Sequence, residues 1–203
     1  MKLYNNDFSP NAKRVRVAAR ELGANLEVVQ LDFAKGEHKA PPYMAKNPNG
    51  KIPTFEDADG TVVWESPAIL FYLAEKHPEK GLLPKDAVAR TEAMRWMFWN
   101  ASHLEAAVFT IGFERIVKPM MMKQPTDEAR VAVVMKDVER YAPVLNAELA
   151  GKESIHGKSI SIADICLGTT LEFMAMAKID LAPYKHVGAW LGRLQARDSW
   201  KKG

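Results

Sequence analysis

Three short stretches and one loop carry the side chains that could do chemistry. Ser9-Pro10 reads as a helix start, with a hydroxyl beside free N–H groups, a place where a thiolate would also be stabilised. Lys51-Ile52-Pro53 puts a proline at the first residue of a strand. Proline cannot donate to a ladder there, so it marks an edge or a bend, and a cis Ile52–Pro53 bond is consistent with that. Such a bend leaves the main chain of Ile52 free to pair with an extended ligand. Glu65-Ser66-Pro67 opens a second helix, with Ser66 expected as its N-cap and Pro67 at the first helical position. Its free N–H groups and positive dipole end suit an anion. Bend and helix start together would hold the backbone and one carboxylate of a small acidic peptide.

Each of these residues also has a plain structural reading. Ser9-Pro10 is first of all a cap followed by proline. His38, Lys39 and Lys51 are, by type, solvated surface, and Glu65-Ser66 is a simple cap. Asp164 reads as a structural cap with no catalytic role. The five histidines show no metal-ligand spacing, and Cys166 lies in an apolar helix where it should be inert. Phe109, Phe113, Met120, Met121 and Met122 read as core before they read as pocket, although methionines adapt to varied ligand shapes.

The elements that position these residues follow from periodicity. Residues 2–4 form a short strand that Asn5-Asn6-Asp7 breaks. Val15, Ala18, Ala19 and Leu22 make one apolar helical face, and Gly23 stops the helix. Residues 26–31 give a second strand, and a helical crossover between two strands makes them parallel. Thr54-Phe55 and Val62-Val63-Trp64 flank the turn residues Asp57-Ala58-Asp59-Gly60 as a hairpin, and the helix from Ser66 follows. The order β-α-β then β-β-α is that of a thioredoxin-like domain. Residues 33–50 are polar and proline-rich, too long for a plain connection, and so are read as functional.

Residues 79–86 form the linker between a domain over 1–78 and another over 87–203, where the pattern turns helical. Met94, Met97, Phe98, Ala101, Leu104 and Val108 form one stripe of a long helix, with a bend expected at Gly112 and an end at Lys118-Pro119. Thr126 is the expected cap of the next helix, kinked at Pro143. Ser161-Ile162-Ala163-Asp164 is a capping-box pattern with Ile160 placed to staple against Ile165, the helix running to about Lys178. A last helix follows Tyr184.

Composition bounds the function classes. The chain has 203 residues, 47% hydrophobic and 26% charged, an ordinary globular mixture. A net charge of +3 does not call for nucleic acid and supports at most a mild preference for anionic ligands. One cysteine allows no disulfide framework and no CxxC redox pair. No apolar run approaches the ~18 residues of a membrane span, and MKLYNNDFS has no apolar leader core, so a cytoplasmic protein without a membrane partner is expected.

Lys51-Ile52-Pro53, Glu65-Ser66-Pro67-Ala68-Ile69, Gly36-Glu37-His38-Lys39 and Asn47-Pro48-Asn49-Gly50 resemble the glutathione-binding motifs of the cytosolic glutathione S-transferase family. The resemblance covers the whole chain and is most specific in the first 80 residues. It is nearest to the serine-type branch, a phi/theta-like bacterial member. It implies a thioredoxin-like α/β domain followed by an all-helical one, and a homodimer. It further implies glutathione as co-substrate, no metal, and a small apolar electrophile met by an apolar wall of the helical domain. By resemblance, Ser9 donates to the glutathione sulfur, His38 and Lys39 meet the glycyl carboxylate, and Lys51, Ile52 and Pro53 contact the ligand. Glu65 and Ser66 receive the γ-glutamyl amine and carboxylate. Tyr4 is the alternative sulfur partner used by other branches, but it lacks their arginine-rich context. Two alternatives remain open within the same fold: a non-catalytic dimeric binding or regulatory protein, and a glutathione-dependent peroxidase.

Overall fold

A computed structural model describes all residues from Met1 to Gly203. They form two compact units, Met1–Leu83 together with Asp198–Gly203, and Pro84–Arg197. The second unit thus ends before the chain does, short of the 87–203 extent expected for the helical domain. Residues 198–203 lie with the first unit because Trp200 is buried there and the Ser199 hydroxyl donates to Glu21 on α1 (Pro10–Leu22).

The first unit is built on a four-stranded sheet in the order β2-β1-β3-β4. Strand β1 (Lys2–Asn5) pairs parallel to β2 (Glu27–Gln30), with Leu3 opposite Val28. It pairs antiparallel to β3 (Thr54–Glu56), with Leu3 opposite Phe55, and β3 pairs antiparallel to β4 (Val62–Trp64). Leu3 and Phe55 are fully buried, as are Val15 and Ala18 of α1 and Ile69, Leu70 and Leu73 of α3 (Ser66–Lys76). Gly23 takes the left-handed conformation at the end of α1, where its N–H returns to the last turn. The segment between β2 and β3 holds a 3₁₀ turn at Glu37–Lys39 and the short helix α2 (Pro41–Met44). The β3–β4 hairpin is clamped to α3 by Asp57, which accepts from the Tyr72 hydroxyl at 2.7 Å and from Lys76. Those two donors, Lys76 first, hold the Asp57 carboxyl down at about 2.

The second unit is all helical. Helix α4 (Ala87–Trp99) continues through a π-helical turn at Asn100–Leu104 into α5 (Glu105–Gly112), then through another at Phe113–Val117 into α6 (Lys118–Met121). Each π turn carries an extra residue and rotates the faces that follow. The single apolar stripe expected over 94–108 does not hold: Met97, Leu104 and Val108 are buried, but Phe98, ahead of the first π turn, is 65% exposed, and Ala101, inside that turn, is exposed. Gly112 is no simple bend. A Cβ there would stand 2.2 Å from Cε1 of Phe173, so the missing side chain lets α5 approach α8 (Ile162–Met176). Pro119 does not end the helix at once: α6 runs on to Met121 with the proline as its second residue, and the Glu114 carbonyl one turn earlier accepts from the Thr126 hydroxyl. Phe113 and Met120–Met122 are exposed and not core.

Helix α7 (Glu128–Glu148) runs through Pro143. Its cap is Asp127, whose carboxylate accepts from Arg130 N at 2.9 Å, and not Thr126, whose hydroxyl donates to the Glu114 carbonyl instead. Helix α8 starts as the pattern predicts: Asp164 is fully buried and accepts from the N–H and O–H of Ser161 at 2.8 and 2.9 Å. Its other oxygen accepts from Ile155 N and from Trp190 Nε1 of α9 (Lys185–Gln195), which fixes a structural role. A short α10 (Asp198–Lys201) belongs to the first unit. No helix is long and apolar enough to cross a membrane.

Candidate functional site

Ser9 caps α1 with extended backbone (φ −85°, ψ 113°), and its Oγ accepts from Ala12 N at 3.2 Å. The hydroxyl uses an oxygen lone pair on the helix, while its own proton has no acceptor in the chain. It is half-buried. The loop before it is pinned on both sides. Asn6 accepts from Ser9 N at 2.9 Å through its carbonyl and donates its amide to the Leu31 carbonyl at 2.8 Å. Asn5 donates to Asp7 and Gln30 and accepts from Arg16. Hydrogen bonds from Gln30 and then Asn5, with Arg16 adding its charge, hold the Asp7 carboxyl below its ordinary range.

Tyr4 points its hydroxyl elsewhere. It donates to Glu56 Oε2 at 2.8 Å, an oxygen that also receives Lys46 Nζ at 2.8 Å. Burial, then that bond, pushes the phenol above its usual value, so its proton stays on oxygen and stays with Glu56.

The Lys51–Pro53 stretch rests on a buried polar hub. The Tyr43 hydroxyl and Asn47 Nδ2 both donate to the Lys51 carbonyl, and both reach Thr54 Oγ1, at 2.8 and 3.1 Å. The Ile52–Pro53 peptide is cis. The Ile52 side chain is buried in one cluster with Ala12 and Tyr43, and Tyr4, Leu31 and Phe33 pack around it. Since Ala12 lies in the first turn after Ser9, this apolar floor brings the serine's turn and the Ile52 bend together. Main-chain N–H and C=O of Ile52 make no hydrogen bond within the chain. The Lys51 ammonium is exposed.

His38 stands edge-on to Phe33, with ring centroids 4.8 Å apart. Burial first, and the Lys39 charge second, lowers its pKa, so at neutral pH it is an uncharged imidazole. Its Nδ1 is buried with no partner in the chain. As a neutral ring it can offer a carboxylate one N–H but no charge, less than its residue type alone suggests. Lys39 reaches the Asn49 carbonyl at 3.3 Å.

At α3 the expected cap shifts by one residue. Glu65 is the N-cap, with Ser66 and Pro67 as the first two helical residues, and no side chain caps the helix. Ser66 is buried, 4% exposed, and its hydroxyl accepts from Nη1 of Arg14 at 3.0 Å. Glu65 adopts φ 69° and ψ 111°, a strained conformation for a residue with a side chain, costing about 1–3 kcal/mol. It leaves the Glu65 carboxylate exposed beside the helix start.

Arg14 and Tyr43 carry no signal of function in their residue type, while Asn47 is read only as part of the Asn47–Gly50 motif and Thr54 only as a strand residue. Arg14 is fully buried and bonded to a residue 52 positions away. One signal was present: Arg14 precedes Val17 and Ala18 by three and four residues, in line with the apolar face of α1. Ser9, Arg14, His38, Lys39, Lys51–Pro53, Glu65 and Ser66 all belong to the first compact unit. The arrangement offers a free hydroxyl at one helix start, a free main-chain edge, exposed ammonium groups and a cation-backed hydroxyl at a second helix start.

Comparison with known proteins gives matching results at three levels. Residues 1–75 match the family model described as glutathione S-transferase, N-terminal domain, and residues 109–198 match the C-terminal domain. A rice protein named probable glutathione S-transferase GSTF2 is 36% identical, over 100% of this chain and 94% of its own length. Among solved structures, glutathione S-transferase I bound with lactoylglutathione superposes with a TM-score of 0.89 at 28% identity, covering 99% of this chain and 96% of that one. A glutathione transferase homologue from Sulfitobacter with bound glutathione gives 0.84 at 25% identity, covering 99% and 95%.

Proposed function

We propose a mechanism that starts from descent: this chain belongs to the glutathione S-transferase family. It is a glutathione transferase, an enzyme that joins the glutathione sulfur to an electrophile. In the proposed reading Ser9 donates its hydroxyl proton to that sulfur and favours the thiolate. The observation that carries this is the Ser9 hydroxyl itself, anchored as an acceptor by Ala12 N and left with an uncommitted proton at a helix N-terminus. Serine is too weak an acid to serve as a base at neutral pH, so donation is its role. The thiolate then attacks a small apolar electrophile, and a carbon–sulfur bond forms as a leaving group departs or a double bond is saturated.

The remaining residues hold the peptide. The free main chain of Ile52, presented by Pro53 and steadied by the Tyr43–Asn47–Thr54 hub under Lys51, pairs with the cysteinyl segment. Lys39 and Lys51 supply charge to the glycyl carboxylate, with His38 as a neutral donor. Ser66 donates to the γ-glutamyl carboxylate, and Arg14 stands one hydrogen bond behind it, so a buried positive charge supports the contact. Glu65 receives the γ-glutamyl ammonium. The Tyr4 hydroxyl, given over to Glu56, supports Ser9 as the sulfur partner. The same reading extends to a serine-type, phi-like member that is homodimeric and cytoplasmic, an extension that rests on membership of the family.

The test is a glutathione soak of crystals together with retention on immobilised glutathione. Sulfur density within hydrogen-bond reach of Ser9 Oγ is expected. A folded protein that ignores millimolar glutathione would shift the reading to a non-catalytic binding protein of the same fold.

A further inference from the structure

We propose that Gly50 is a positioning residue whose missing side chain forms the slot that fixes the Lys39 ammonium and thereby makes the site selective for a peptide ending in a free carboxylate. The inference rests on the proposed contact between Lys39 and the glycyl carboxylate.

Gly50 is buried, with φ +55°, and its N–H donates to the Asn47 carbonyl at 2.9 Å, closing the turn ahead of Lys51. A Cβ added at Gly50 would stand 2.8 Å from Lys39 Nζ, 2.9 Å from Lys39 Cδ and 2.8 Å from Met44 Sδ. A side chain there would have to push the ends of Lys39 and Met44 aside, because the lysine stem lies across the bare α-carbon. From there Nζ reaches the Asn49 carbonyl at 3.3 Å. An exposed lysine ordinarily samples many rotamers, and confining it to one is unfavourable unless a neighbour shapes the path. Here the glycine supplies that path, with Met44 as its side wall.

Electrostatics show what the slot is for. Neither Lys39 nor Lys51 forms an ion pair with a carboxylate of the chain, yet both flank the Asn47–Gly50 turn. A cation held at a defined point rewards a ligand carboxylate through a charge-assisted bond and gives nothing comparable to an ester. Gly50 therefore acts only through Lys39, and only on ligands that end in a carboxylate.

Steady-state kinetics with glutathione and with its glycyl monoethyl ester test this. Gly50→Asn is the lead variant, because asparagine tolerates the left-handed backbone while filling the slot, and Gly50→Ala is the second. Either should raise the KM for glutathione roughly tenfold, on the scale of one charge-assisted hydrogen bond. The kcat at saturation and the KM for the ester should hold within about twofold. Combined with Lys39→Met, the Gly50 variants should add no further loss. Lys39→Arg, which leaves the glycine intact, should also raise the glutathione KM, since a planar fork does not fit a slot shaped for a straight stem. An unchanged glutathione KM in Lys39→Arg or in the folded Gly50 variants, with Lys39→Met impaired, overturns the slot and leaves the site reading standing. Equal losses with glutathione and ester overturn it too, by making Gly50 a general fold residue. If Lys39→Met itself has no effect, the proposed carboxylate contact fails and the slot with it.

Discussion

Two serines begin helices in this protein and end in opposite states. Ser161, at the start of α8, is buried, and both its N–H and its O–H are given to Asp164. Ser9, at the start of α1, is half-buried and gives its proton to nothing in the chain. The difference lies three residues on. Position N3 is Asp164 in α8 and Ala12 in α1, and α1 has no acid in its first turn. In α8 the acid at N3 accepts the Ser161 N–H, as in a capping box, and takes the hydroxyl proton as well. An alanine leaves the oxygen to cap the helix and the proton to a ligand. The lesson is that the same cap residue is structure or chemistry according to the residue one turn further on.

The largest effect expected from breaking this comparison is at the structural cap. Asp164→Ala strands the Ser161 and Ile155 N–H groups and the Trp190 indole in a dry interior. At about 1–3 kcal/mol for each buried donor left unpaired, stability should fall by at least ~3 kcal/mol. Urea unfolding of Asp164→Ala, with Ser9→Ala beside it, checks this, since the latter should lose only ~1 kcal/mol as a cap. Similar losses in the two would undo the contrast.

Ser66→Ala tests the third serine at a helix start, which accepts from Arg14 without capping. Glutathione affinity should weaken by ~1.5–3 kcal/mol by calorimetry, the scale of a hydrogen bond to a charged group. Stability should fall as well, by about 1–3 kcal/mol, because the buried Arg14 guanidinium loses this acceptor. An unchanged affinity would remove Ser66 from the site.

Ser9→Ala should act on the thiolate. One hydrogen bond to charged sulfur at ~1.5–3 kcal/mol, against about 1.4 kcal/mol per pKa unit, takes a thiol from ~8.5 to ~6.5–7.5 when bound. Removing it raises that value again, so the charged form is lost at low pH and regained at high pH. Turnover should drop roughly ten- to hundredfold at pH 6.5 and recover largely by pH 9, with glutathione affinity nearly kept. A loss that is equal at both pH values would assign Ser9 to packing.

The smallest effect is expected at Tyr4. Tyr4→Phe removes only a half-exposed bond to Glu56, about 0.5–1.5 kcal/mol of stability, and turnover at pH 6.5 should stay within about twofold. If Tyr4→Phe abolishes activity there and Ser9→Ala does not, the sulfur contact passes to Tyr4.

Much of this was legible from local chemistry. The serine before Pro10, the glycine stop at Gly23, the hairpin around Asp57–Gly60 and the box from Ser161 to Asp164 each depend on residues a turn or less apart. Failures of the same rules also have local causes. Ser66 looks like a cap, but Glu65 takes that position with a left-handed backbone that no rule for glutamate anticipates. Thr126 and Asp127 are both good caps, and the threonine is drawn to the Glu114 carbonyl. The stripe over 94–108 is interrupted at Ala101, where the π turn at Asn100–Leu104 breaks the 3.6-residue period.

By itself, then, the amino-acid sequence determined what adjacent residues impose on one another: where helices and strands begin, where a proline bends the chain, and that Ser9 lies at a helix start. Only the tertiary structure decided which groups are already spent. Tyr4 is given to Glu56 across 52 residues, Ser66 is backed by Arg14 across another 52, and the Lys51 carbonyl is held by Tyr43 from below. The physical reason is that a hydroxyl's chemistry depends on whether its proton and lone pairs have partners. In a folded chain those partners come from whichever strand or helix packs against it, at distances along the sequence that no local pattern spans.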